Sequence, residues 1–245
     1  MSLSSEEREL FIHVGLTQND LLLYQRIWAA LMYRNPKTQL AREAHAAQSV
    51  ALLLALVGKL FEACEQFDKR FLSQRIGHEF QKKFSSSQLA AVEYLKKLRG
   101  TGNLLAKIRN DFAFHYHSAE LSKYIIDMPE QRQFSLYLGS PDGNTMNVFA
   151  AEPLLISLMK VTKKRKPITA LSHIHTVAGD ALTRYYRFVA GVQLVILKKM
   201  LGDRPLMEDC EIGDDEYLPH DQFVIPFFMT VPVGHRRPRG ALKKR

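Results

Sequence analysis

The sequence predicts an all-α protein, an up-and-down bundle of about five to six helices with one inserted β-hairpin. Three observations predict it. Apolar residues recur at helical spacing through several long segments. Capping residues or a proline stand where most of those segments begin. Alternating, strand-like pattern is confined to two short runs that flank a single turn. The chain has 245 residues, 46% of them apolar and 24% charged, which is enough to bury a substantial core in one large domain.

In chain order, residues 4–14 support a short helix. Thr17-Gln18-Asn19-Asp20 resembles a capping box that opens a second one to about Tyr33, with Leu21, Tyr24, Ile27, Trp28 and Leu31 on one face. Asn35-Pro36 interrupts it, and the longest helix follows from about Lys37 to at least Leu72. Its wide stripe of Leu53, Leu54, Val57, Leu60, Phe61 and Phe67 is that of a central element, and Gly58 and Gly77 are candidates to kink or end it. Ser85-Ser86-Ser87 offers N-caps for a helix through Leu98, which Gly100-Thr101-Gly102 closes. A helix from about Asn103 to His117 comes next. Gln133–Leu138 and Thr145–Phe149 read as strands around Ser140-Pro141-Asp142-Gly143-Asn144, which places the hairpin at about 131–151. Helices from Pro153 to about Val161 and from about Ile168 to Met200 complete the set. Residues 1–205 thus form the helical unit, and 206–245 an irregular extension with a basic tail.

The formal net charge is +9, but the last ten residues hold Arg236, Arg237, Arg239, Lys243, Lys244 and Arg245 and no acid, leaving +3 for the rest. The tail can attract phosphate or simply remain solvated. Two cysteines, Cys64 and Cys210, exclude a disulfide framework or a four-cysteine zinc site. The Ser4-Ser5-Glu6-Glu7-Arg8 start lacks the basic-then-apolar run of a signal peptide. The longest unbroken apolar run, Val50 to Val57, is far shorter than a bilayer span. The expectation is a cytoplasmic protein with no membrane segment.

Chemistry concentrates between Lys107 and His117, where an arginine, an amide, a carboxylate and two histidines share eleven residues. On an ideal helix Leu104, Ile108 and Phe112 span an arc of roughly 80°, which Leu105 and Tyr116 widen to about 120°. His115 falls inside that apolar arc, and Arg109 lies at its far edge, about 120° from His115. Asp111, four residues before His115, is in reach of its ring. In the structural reading His115 is a core histidine held by Asp111, and Arg109 is a half-buried cation with a carboxylate partner. Against it, an arginine and a histidine bordering a buried face are costly unless paired or facing a cleft, and histidine titrates near neutrality.

Arg109-Asn110 followed by His115 resembles the motif of the HEPN superfamily: arginine, a polar residue next to it, and histidine four to six residues beyond. The helical setting, with the motif after a very long helix, and the inserted segment look most like the abortive-infection branch. The resemblance implies a homodimer that cuts RNA without a metal at a cleft between two motif helices, in a defence or toxin-antitoxin setting. His115 would be the general base or acid, Arg109 would stabilise charge on the phosphate, and Asn110 would position phosphate or imidazole. Asp111 and His117 would be accessory. The opposing directions of Arg109 and His115 on the wheel are resolved by a site shared between two protomers or by a distorted helix. Phe112 and Phe114 are bulkier than the motif leads one to expect.

Lys163, Lys164, Arg165 and Lys166 are candidates to steer RNA, and equally a solvated loop. Lys59 and Glu62 read as an exposed ion pair. His115-x-His117 and His173-x-His175 lack the further ligand a zinc site needs, so no metal and no cofactor is expected. Phosphate-binding loop, GxSxG elbow and dinucleotide fingerprint are all missing. The alternative function is a HEPN-like module without chemistry that binds RNA, a nucleotide or a partner protein. An antitoxin partner is in keeping with the leading reading.

Overall fold

A computed structural model describes residues 3–32, 34–98, 100, 103–113, 122, 147 and 150–202. The described residues are almost entirely helical, with no strand among them. Seven α-helices appear: α1 Ser5–Met32, α2 Gln39–Phe67, α3 Arg75–Gln81, α4 Ser86–Leu98, α5 Leu104–Ile108, α6 Ala151–Thr162 and α7 Pro167–Leu201. Two π-helical turns, Asp68–Leu72 and Arg109–Ala113, continue α2 and α5. The expected hairpin at 131–151 and the extension at 206–245 fall outside this description, apart from isolated residues at the hairpin's edge.

The two expected N-terminal helices are one. Thr17 is no N-cap: it lies inside α1, where its Oγ1 donates back to the His13 carbonyl at 2.9 Å. The capping box sits at the true start instead. The Ser4 N–H donates to Glu7 Oε2 at 2.7 Å, and the Glu7 N–H to Ser4 Oγ at 3.2 Å. Both sites have a hydroxyl with an acid three residues on, and only the one at Ser4 begins a helix.

α2 runs through Gly58 without a break, and α3 is an element the apolar pattern did not reveal. Gly77 lies inside α3 and ends no helix. A Cβ there would stand 1.9 Å from the Phe71 carbonyl oxygen, so the close approach of α3 to the preceding π turn requires glycine. Ser85 caps α4 in a box with Gln88: the Ser85 N–H donates to Gln88 Oε1 at 2.8 Å. Pro167 occupies the first turn of α7, as its fixed φ favours.

The core lies where α2 and α7 meet α1, α4, α5 and α6. Phe188 meets Phe67 and Phe71 edge to face, with ring centres 4.7 and 4.9 Å away. Length and composition would let 39–72 cross a bilayer, with mean hydropathy 1.5 over 18 residues; 56% of that window is buried inside the protein. Lys59 pairs with Glu62 at 3.4 Å, as its spacing suggests, and also with Asp20 of α1 at 3.5 Å.

Candidate functional site

Asn103 sets the start of the motif helix. Its Oδ1 accepts from the Ala106 N–H at 2.8 Å, while its Nδ2 donates to the carbonyls of Leu98 and Gly100. One side chain thus caps α5 and ties it to the end of α4. Leu105, Ile108 and Phe112 are buried, which fixes the inward face of the segment.

From Arg109 the backbone changes to a π turn through Ala113. Hydrogen bonds from i to i+5 widen the turn, so the 100° spacing of an α-helix no longer applies to residues 109–113. The segment is therefore distorted at the motif itself. Such turns are frequent at functional sites, although the chain carries a second one at Asp68–Leu72 with no reactive cluster.

Arg109 is half-buried between this turn and α2. Its guanidinium carbon lies 5.5 Å from the centre of the Phe61 ring, a cation–π contact. Its Nη1 donates to Asn110 Oδ1 at 3.0 Å, whereas its Nε is shut off from water and has no partner among the described residues. The carboxylate expected beside Arg109 is replaced, among the described residues, by an amide oxygen and an aromatic face. A guanidinium carries five N–H donors in a fork that fits phosphate oxygens, and one of them is donated to a described partner. The arrangement leaves the positive charge without a described counter-anion.

Asn110 is exposed and Asp111 half-buried on the same turn. His115 and His117 lie outside the described residues. Lys163, Lys164, Arg165 and Lys166 are exposed in the connection from α6 to α7. Lys163 takes the left-handed conformation (φ 56°) as the C-cap of α6, and the Lys164 N–H reaches back to the Met159 carbonyl at 3.0 Å. No hydrogen bond or ion pair between described residues joins this loop to Arg109. Among the described residues no three His, Cys, Asp or Glu side chains cluster to hold a metal ion.

Phe61 escaped the sequence reading as a site residue, because it is one apolar position in a long stripe and only the packing of the π turn against α2 puts it beneath Arg109. Compared with protein-family models, with curated proteins and with solved structures, the chain matches none.

Proposed function

We propose that the protein is a HEPN-type, metal-independent endoribonuclease, acting in a defence or toxin role in the cytoplasm. The observation that carries the reading is Arg109: a guanidinium held by Phe61 and Asn110 on a distorted turn, with a sealed Nε and no described counter-anion. A cation so placed is stabilised by a phosphate ligand more than by water. In the reaction, His115 takes the proton of a ribose 2′-hydroxyl, and the 2′-oxygen attacks the adjacent phosphorus. The bond to the 5′-oxygen breaks as that oxygen is protonated. A 2′,3′-cyclic phosphate and a free 5′-hydroxyl result. Arg109 offsets the charge that grows on the non-bridging oxygens. Asn110 orients the phosphate, and Asp111 and His117 support proton transfer.

In this reading the described helices belong to an up-and-down bundle with a hairpin at about 131–151, and two copies pair through their motif helices. Lys163–Lys166 draws RNA towards the cleft. An antitoxin is a natural further partner.

One observation favours the second reading, a binding module without chemistry: Asn110 Oδ1 is already committed to Arg109 rather than to an external group. RNA affinity separates the two. A binder keeps its affinity in Arg109→Ala and His115→Ala and loses it when residues 236–245 are deleted. A nuclease loses turnover in both substitutions while its fold is unchanged.

A further inference from the structure

Away from the motif, a pocket of about 370 Å³ opens where the end of α1, the start of α2, α6 and the start of α7 converge. Its interior is apolar: Met32, Leu53, Leu155, Ile168 and Leu171 supply most of the wall. The volume is in the range of small-molecule sites, which combine apolar walls with a few polar groups. Trp28 and Ser49 are 6% and 5% exposed in the same wall, and Trp28 Nε1 and Ser49 Oγ have no hydrogen-bond partner among the described residues. His175 lies over Trp28, their ring centres 4.1 Å apart.

Positive charge lies next to the pocket in the chain. Pro167 and Ile168 line the pocket, and Lys163-Lys164-Arg165-Lys166 immediately precedes them, exposed. Lys166 is also the N-cap residue of α7 and makes no side-chain cap, so the positive end of a 35-residue helix stands uncapped at this rim. A carboxylate placed there meets both free N–H groups and a run of cations.

We propose that this pocket binds an amphiphilic carboxylate, with a saturated acyl chain in the apolar interior and the head group at the start of α7. The walls contain no Lys, Arg, Asp or Glu side chain, although His45 and His175 are among them, which suits a hydrocarbon chain; four exposed cations immediately precede Pro167 and Ile168 in the chain, which suits an anionic head group. A nucleotide is the poorer fit, because its base needs several hydrogen-bonding partners and the interior is mostly apolar. The lining residues are separate from Arg109 and Asn110, while the cations beside Pro167 are the ones assigned above to drawing in RNA.

Trp28 is the sole tryptophan of the chain, so its emission reports on the pocket directly. The test titrates the full chain at low salt with decanoate below its aggregation concentration, with decanol, and with adenosine monophosphate. Decanoate should change the emission saturably, and decanol should bind more weakly by a factor on the order of three to ten. The nucleotide should have no effect. Replacing Lys164, Arg165 and Lys166 together by Ala should erase the carboxylate's advantage and leave decanol affinity in place. Ile168→Asp, at a position 64% exposed and so tolerant of charge, should weaken decanoate. Absence of a saturable response, tighter binding of the nucleotide, or a preference for decanoate that survives the triple substitution would overturn the proposal.

Discussion

The Tyr185 hydroxyl lies 2.5 Å from Thr17 Oγ1, joining α7 to α1 in the core. With the Thr17 hydroxyl donating to the His13 or Val14 carbonyl, the Tyr185 hydroxyl is the donor to Thr17 Oγ1. Burial, the leading cause, pushes the Tyr185 phenol far above its usual pKa, and the Thr17 contact only partly opposes this. The two substitutions therefore differ. Thr17→Val strands a buried O–H donor and should cost about 1–3 kcal/mol. Tyr185→Phe leaves Thr17 still bonded to α1 and should cost about 1 kcal/mol. Denaturant unfolding of both, and of the double variant, checks this: the double should cost less than the sum of the singles.

Glu7 sits in the capping box and accepts from Lys199 Nζ with both oxygens at 2.7 Å, pinning the start of α1 to the end of α7. Burial alone would raise its pKa. The bonds to Lys199 and Ser4 outweigh burial and leave it below the usual carboxylate value. A depressed folded-state pKa means stability that is present above the unfolded pKa and lost as pH falls through the folded one. Glu7→Gln should thus lower stability at pH 7 and flatten its decline on acidification below about pH 4.5. Equal acid sensitivity in both proteins would refute the linkage.

Lys163 holds a left-handed backbone that favours glycine. Lys163→Gly should raise stability by about 1 kcal/mol, since the strain of a side chain at positive φ is removed. Thermal unfolding measures it, and Lys164→Gly is the matched control, expected to bring no gain.

Gly77→Ala should do the reverse. A methyl group 1.9 Å from the Phe71 carbonyl forces α3 off the π turn, and the loss should be about 2 kcal/mol or more. An unfolding midpoint equal to that of the parent would show that the close approach is not needed.

These positions also show what the sequence could and could not disclose. Helix starts at about Ser85, Asn103 and Ile168 were legible, the first because capping is local chemistry. Thr17 misled for the same reason: a hydroxyl and an acid three residues on look alike at a helix start and inside a helix, and only the contact with Tyr185 tells them apart. α3 was missed because its glycine answers to Phe71 rather than to any periodicity. At the motif, Arg109-Asn110 and its helix were visible, yet the wheel assumed 3.6 residues per turn and so missed the π turn. Phe61 beneath Arg109 and His175 over Trp28 are contacts between separate helices that no local pattern encodes.

The proposed function requires Arg109 and His115 to cut RNA without a metal. Incubating purified protein with single-stranded RNA in EDTA, and identifying the new 3′ ends, tests it most directly. The wild-type chain should leave 2′,3′-cyclic phosphate ends. Arg109→Ala and His115→Ala, folded as judged by unchanged unfolding midpoints, should slow cleavage by on the order of a hundredfold or more. Cleavage that persists in His115→Ala, or none by the wild-type protein, would contradict it.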